Sequence, residues 1–543
     1  MFRNESVNAH QFSMVPRADI PRASFNIETS HKTTFDAGYL VPFFCEEVLP
    51  GDSFRVSVTA FARLATPIFP VMDNLHLETF FFFVPNRLVW SNWRKFMGEQ
   101  ASPGDSISYV VPQLVSAASG FAVGSVFDYF GLPTVGQVGA GNTVSVNALP
   151  LRAYNLIYFD WFRDENLIGA PNLPTGDGPD TVAMYTLFRR AKRPDYFTTA
   201  LPWPQKGGTS VSIPLGTSAP VKTSLSAGVS GSHNPILWNK ADGNALTADK
   251  AFSVNASRQG VAGTTAVGSA GNETMYPSNL YADLSTATAA TINQLRQSFQ
   301  IQRLLERDAR GGTRYTELLF SHFGVRSPDA RLQRPEYLGG GHSPMVVNPV
   351  GQTSATGLTG GSAPLGTLGG VGSAVARHGF TSSFVEHGYV IGIVNVRSDV
   401  SYQQGLRRHW SRSTRYDFYW PVFSALGEQT ILNKELYCRG DANDNLVFGY
   451  QERWSEYRYS PPMITGLFRS TSSGTVDGWH LAQRFTSLPL LNQSFVEENP
   501  PVSRVLAVGS AANGQQIIFD SFTRIAAARP MPLYSVPGMI DHF

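Results

Sequence analysis

Arginines and aromatic rings alternate in the stretch Gln404 to Trp420, QGLRRHWSRSTRYDFYW: Arg407, Arg408, Arg412 and Arg415 are interleaved with Trp410, Tyr416 and Trp420. Guanidinium groups neutralise phosphates, and indole or phenol rings stack on unpaired bases, so this mixture suits single-stranded nucleic acid. Arg and Trp are equally at home in the centre of a protein–protein contact. Both readings, a DNA contact and a subunit contact, stay open at this point.

Other constellations offer less. Asp441, Asn443, Asn445 and Glu452 match the spacing of a calcium loop, but Leu446 stands where that loop needs glycine, so a turn between strands is expected. The pairs Glu452/Glu456 and Glu497/Glu498 have no context that would make them an acid and base for glycoside chemistry. The Gly-rich run 366–372 (GTLGGVG) lacks the Gly-Lys-Ser/Thr ending of a phosphate loop. There is no Gly-x-Ser-x-Gly elbow, and the eleven histidines form no His-x-x-x-His or His-Glu-x-x-His pair. Cys45 and Cys438 make neither a disulfide framework nor a zinc signature. No enzyme activity, catalytic residue, metal ligand or cofactor is expected.

The elements that must carry these residues are mostly strands. Leu75 to Val84 is predicted as a strand with Phe80 to Phe83 spread over both faces. Each buried ring is worth roughly 2–3 kcal/mol, so such a strand needs a second sheet on one side and a subunit or long loop on the other. Ser53 to Leu64 alternates with one polar side and reads as a second strand. Leu149 to Ile168 carries Tyr154, Ile157, Tyr158, Trp161 and Phe162 at helical spacing, with Asp164 and Glu165 near its unfavourable C-terminal end; Arg163 or another subunit is expected to compensate them. Thr291 to Val325 predicts two helices broken at Gly311-Gly312. Strands resume at 388–396, 416–420, 446–450, 478–485, 502–508 and 516–525, while 326–344 and 351–372 read as Pro/Gly segments and loops. Strands on both sides of a long insertion imply one interrupted sheet system. The expected organisation is an extended arm at 1–52, strands with a helical insertion at 53–202, a polar surface excursion at 203–291, and helices, loops and remaining strands at 292–543.

Composition points to company. Charged residues are 15% of 543 and aromatics 12%, with 50 Gly and 35 Pro. About 25% charged is usual for a soluble domain, so a surface this poor in charge is expected to be covered by other subunits, with a Ser/Thr/Gly-rich secreted protein as the alternative on composition alone. The net charge of +2 carries no global field for nucleic acid. Residues 1–25 lack the apolar core of a signal peptide and no apolar run is long enough to span a membrane, so neither secretion nor membrane insertion is expected.

Several phrases resemble one family: WRKFMGE (93–99), LPLRAYNLIYFDWFRDENL (149–167), RSPDARLQRPEYLGGG (326–341), YWPVFSALGEQ (419–429), YQERWSEYRYSPPMITGLFRS (450–470), WHLAQRFTSLPLLNQSFVEENPPVSR (479–504) and VPGMIDHF (536–543). They are similar to the major capsid proteins of the Microviridae, small tail-less single-stranded-DNA phages, and closest to the gokushovirus branch. The resemblance spans nearly the whole chain and is weakest at 203–291 and 351–376. It implies a mainly β protein, an eight-stranded antiparallel jelly roll with long loop and helical insertions. It further implies a homo-oligomer closing into a T=1 icosahedral shell of sixty copies around a circular single-stranded DNA genome, with a small basic internal DNA-binding protein as a second partner. The insertion would cluster at the three-fold axes as a protrusion meeting a host bacterial surface receptor, with Trp238, Phe252 and Tyr276 as its receptor-facing residues. The apolar end, with Pro537, Ile540 and Phe543, is expected to dock on the shell. The protein would be made and assembled in the bacterial cytoplasm and reside in the virion. The competing class is a β-sandwich carbohydrate-binding protein or glycosidase.

Overall fold

Alternation dictates the barrel. In Ser53–Leu64 every second residue, from Phe54 to Leu64, is buried while Arg55, Ser57, Thr59, Phe61 and Arg63 are exposed, the signature of a strand with one face on a core. The computed structural model describes residues 21–207, 221–223, 238–240, 250–254, 260–264, 275–277, 280–282, 292–312, 314–326, 333–353, 366–507 and 516–534. Among them, eight strands build the main sheet system: β1 (Ala23–Phe35), β2 (Val41–Val48), β3 (Ser53–Leu64), β4 (Leu75–Pro85), β5 (Glu336–Gly351), β6 (Leu368–Ser383), β7 (Gly388–Ser398) and β8 (Ile517–Arg529).

All neighbours are antiparallel, in the order β1-β8-β3-β6-β5-β4-β7-β2. β5 turns the corner: its first part, to Met345, pairs with β4, and Val346 onward pairs with β6. The result is two four-stranded sheets, β1-β8-β3-β6 and β5-β4-β7-β2, facing each other as a jelly roll. Rings knit the sheets together across the interior. Phe43 of β2 meets Phe81 of β4 at 5.8 Å and Phe519 of β8 at 5.7 Å, both edge-on. Two connections are far longer than the rest, residues 86–335 after β4 and 399–516 after β7. Because Pro85 lies opposite Gly388 and Leu75 opposite Ser398, these insertions leave opposite ends of the barrel.

The phenylalanine strand is covered by its own chain. Leu75, Leu77, Phe81 and Phe83 face the barrel interior. Phe82 and Val84, with Phe80 packed beside them, face helix α1 (Leu149–Ile157) and the wider π-helical turn Tyr158–Phe162. Phe80 and Phe82 lie 5.3 Å and 5.8 Å from the Phe162 ring, and Phe82 also meets Trp161 and Tyr337. Of the two covers expected for this face, a subunit or a long loop, the insertion after β4 supplies the second. Beneath α1, Arg152 is buried and donates to both carboxylate oxygens of Asp180 at 2.8 and 2.6 Å. The π turn ends at Arg163, so Asp164 and Glu165 sit beyond the helix. Asp164 accepts from the backbone of Asn166 and Leu167, and Glu165 pairs with Arg314 at 2.6 Å; that arginine of the same chain is the compensating charge.

Other expectations change with tertiary context. The stretch 23–48, read as part of an extended arm, forms β1 and β2. Pro42 is tolerated there because β2 is an edge strand, paired only with β7. Most of β5 and the first five residues of β6 fall in segments read as Pro/Gly-rich loop. Their glycines are needed for close approach: a Cβ on Gly340 would sit 2.1 Å from the Thr79 carbonyl oxygen, and one on Gly341 2.5 Å from the His378 ring. Conversely, 416–420 is not a strand. The Asp417 carboxylate accepts from the backbone of Ser413 and Thr414 at 2.9 and 2.7 Å and closes a 3-10 turn. Val502–Arg504 is likewise a 3-10 turn, and Asp477–Trp479 another. The two helices expected at 291–325 are α2 (Ile292–Arg310) and α3 (Tyr315–Phe323).

Residues 205–308 form a separate compact unit. Its described strand pairs are nested: 221–223 with 280–282, 238–240 with 275–277, and 250–254 with 260–264. Each pair is antiparallel, and the pair 250–254 with 260–264 is enclosed in sequence by the other two.

Candidate contact surface in the insertion after β7

The Arg/aromatic stretch is held by a small core of its own. A hairpin, Glu428–Leu432 with Val447–Glu452, packs Ile431 and Phe448 against Tyr196, Phe197, Tyr402 and Phe495. On this base, residues 404–426 run as a series of 3-10 turns at Arg408–Ser411, Arg415–Asp417 and Pro421–Phe423.

The four arginines do not act as one row. Arg408 donates to the Glu435 carboxylate at 2.8 Å and to the Thr430 carbonyl at 2.7 Å. Burial by itself would lower the Arg408 pKa, but Glu435, Tyr196 and Glu456 outweigh it and raise it. Burial lifts the Glu435 carboxyl above the ordinary value against the opposing pull of Arg408. Arg412 donates to the Tyr457 hydroxyl at 2.6 Å and to Glu456 at 3.3 Å, its guanidinium lying 4.4 Å above the Tyr457 ring. Arg407 reaches the Pro461 carbonyl at 2.8 Å. Arg415 is exposed over the Trp420 ring at 4.9 Å. Arg408 and Arg412 are therefore charge partners of Glu435 and Glu456, leaving Arg407 and Arg415 for anything outside. No spacing rule could have found Glu435, Glu456 or Tyr196, which reach the arginines only through the fold.

The rings are another matter. Trp410 is 72% and Val422 88% exposed, and Tyr416, Phe418, Tyr419, Trp420 and Leu426 join them in an apolar shelf. Trp454, by contrast, is core, its Nε1 donating to the Phe423 carbonyl at 2.9 Å. Trp90 is fully buried and donates to Asp177 at 2.7 Å. Monomeric proteins seldom leave so many large apolar side chains of one stretch exposed.

The remaining carboxylates are structural. Asp441 caps the 3-10 turn Ala442–Asn445, accepting from Asn443 at 3.0 Å. Glu452 pairs with Arg458, Glu456 accepts from Gln429 at 2.6 Å, and Glu498 is buried beside Lys192. Among the described residues no group of three or more His, Cys, Asp and Glu is placed to hold a metal ion. Trp238, Phe252 and Tyr276 lie in the nested strand pairs, their side chains outside the described residues, as are Pro537, Ile540 and Phe543 altogether.

A two-sheet jelly roll with insertions larger than itself and a broad exposed aromatic shelf is the build of a viral shell subunit. Sequence comparison specifies it further. The chain belongs to the phage capsid-protein family of the Microviridae, gokushovirus type: the family described as "Capsid protein (F protein)" matches residues 13–539. It is 47% identical over 546 residues to Capsid protein VP1 of Bdellovibrio phage phiMH2K, covering 99% of each chain. Capsid protein VP1 of Chlamydia phage 1 is 42% identical and that of Spiroplasma virus 4 is 35% identical, each alignment covering 98% of both chains. The role is structural, that of a virion component which self-assembles, and no helix among the described residues is long and apolar enough to cross a membrane.

Proposed function

We propose that copies of this chain close into a T=1 icosahedral shell around a circular single-stranded DNA genome, assembled in the bacterial cytoplasm with a small basic internal protein. The observation that carries this reading is the match of the whole chain, barrel and both insertions, to capsid proteins of nearly equal extent. Assembly draws on many symmetric contacts, each modest alone and stable together once the shell closes. The shelf around Trp410 and Val422 is the surface best suited to such a contact, since its burial on a neighbour would remove the largest rings from water. Sedimentation and electron microscopy of the expressed full-length chain should give uniform megadalton shells; a monomer at high concentration would sink the proposal.

The separate unit 205–308 with its nested strand pairs supports a protrusion, placed by analogy at the three-fold axes, that meets a host receptor through residues such as Trp238, Phe252 and Tyr276. A phage lacking most of 203–291 should assemble yet adsorb poorly, and unchanged adsorption would remove this assignment. The C-terminal segment with Pro537, Ile540 and Phe543 is proposed to dock on the shell. Particles should fail to form once the last residues are removed.

A further inference from the structure

The outward face of the sheet β1-β8-β3-β6 is covered by no other described element. On β3 it presents Arg55, Ser57, Thr59, Phe61 and Arg63; on β6, Val375 and Arg377; on β8, Ile518, Asp520, Phe522 and Arg524; on β1, Glu28 and Lys32. The face therefore holds five cations and two carboxylates, a net +3, on a chain whose whole net charge is +2. The two carboxylates are already taken, Asp520 by Lys32 at 2.5 Å and Glu28 by Arg524 at 2.9 Å. Arg55, Arg63 and Arg377 remain exposed with no carboxylate partner among the described residues, in contrast to Arg408 and Arg412.

Their register gives them a direction. Arg377 lies opposite Thr59, midway between Arg55 and Arg63 on the neighbouring strand. At a strand rise of ~3.3 Å, successive arginines are spaced about 13 Å along the strand direction, with Arg377 one strand, about 4.8 Å, to the side. Rings stand beside them: Phe61, 46% exposed, pairs across to Val375, and Phe522 lies opposite Thr59. A sheet face with spaced cations and part-exposed rings, Phe522 lying under the Arg524 guanidinium at 5.2 Å, matches a sugar–phosphate backbone with unpaired bases. An apolar partner would leave three guanidiniums buried without counter-charge, and a basic partner would be repelled.

We propose that this sheet face, through Arg55, Arg63, Arg377, Phe61 and Phe522, binds single-stranded nucleic acid without sequence preference, and is the surface that lines the genome. The inference rests on the capsid reading above and assigns to the barrel a contact that sequence inspection sought in 407–415. Each phosphate contact made to a single strand contributes ~0.7 to the slope of log K against log salt. Losing three arginines should lower that slope by roughly two.

The test uses the full-length chain and a fluorescent oligothymidylate, with binding followed across a salt series. The variant Arg55→Gln/Arg63→Gln/Arg377→Gln should bind more weakly with a shallower slope. The variant Arg94→Gln/Arg439→Gln/Arg458→Gln, which removes equal charge from exposed sites elsewhere, should keep the wild-type slope. Phe61→Ser/Phe522→Ser should weaken binding with the slope intact, which keeps the idea testable if the triple variant folds poorly. In parallel, particles are counted by sedimentation and their nuclease-protected DNA is measured. Normal particles with reduced DNA support the proposal. An unchanged slope in the Arg55/Arg63/Arg377 variant overturns it; if particles are also lost, the face is a protein contact. Absence of particles from the wild-type chain would defeat the capsid reading alone, since oligonucleotide binding is read separately.

Discussion

Removing one partner of the Arg152–Asp180 pair should cost far more than removing both. Arg152 donates to Asp180 twice, to the Val89 carbonyl at 3.0 Å and to the Gly176 carbonyl at 2.8 Å, while Tyr185 donates its hydroxyl to the same carboxylate. Both charged side chains are almost wholly withdrawn from water. Burial would by itself lower the Arg152 pKa, yet Asp180 and Tyr185 reverse this and raise it, so the guanidinium stays charged. Asp180→Ala leaves that charge without its partner, at ~3–5 kcal/mol. Arg152→Met/Asp180→Leu removes both charges and refills the space, and should fall within about 1 kcal/mol of wild type after the lost backbone bonds are included. The coupling energy is then at least ~3 kcal/mol. The assay is urea unfolding of the unassembled chain by tryptophan fluorescence, because Trp90 is buried in the same layer and tied to Asp177. A double variant as unstable as the sum of its singles would refute the reasoning, and with it the claim that this pair fastens α1 over the phenylalanine strand.

Other perturbations probe other parts. Glu78 is ringed by Arg190, Arg193 and Arg397; burial alone would raise its pKa, but these arginines outweigh it and hold the carboxyl below the ordinary glutamate range. A depressed folded pKa stabilises above the unfolded value and that stability is lost as pH falls through the folded one. Glu78→Gln should therefore be destabilising at neutral pH, with its gap from wild type closing below about pH 4 in chemical denaturation. Trp410→Ser/Val422→Ser should leave subunit unfolding within ~0.5 kcal/mol of wild type while abolishing shells in sedimentation, because these side chains touch little within the subunit. Gly340→Val should prevent the barrel from forming, seen as insoluble protein and lost protection of β4 amides from exchange, since the Thr79 backbone carbonyl already fills that space. Phe82→Ala, at ~3–5 kcal/mol, should loosen α1 more than the barrel in the same exchange measurement.

What local chemistry alone decides is visible in β3, β4, β7 and β8. Their alternation, or their unbroken apolar run, needs no partner to be legible, because side-chain direction in a strand is fixed by the backbone. The peculiar phrases near 149–167 and 450–504 likewise carried the family resemblance without any structure. The glycine-rich β5 and β6 were not legible, since glycine's usual meaning is a turn. Here it is the absence of a Cβ beside Thr79 and His378 that matters, and those neighbours are supplied from remote sequence. The same holds for charge. Arg408 and Arg412 read as free cations until Glu435 and Glu456 meet them, whereas Arg55 and Arg63 read as one polar strand side until β6 brings Arg377 alongside. Four phenylalanines in a row argued for a second sheet on one side and a subunit or long loop on the other; the facing sheet takes Phe81 and Phe83, and the insertion carrying α1 takes Phe80 and Phe82. Sequence determines which faces must be buried or wet, because that depends on residue type and period. Which group ends up opposite each face depends on pairing between distant segments, and only the folded chain decides it.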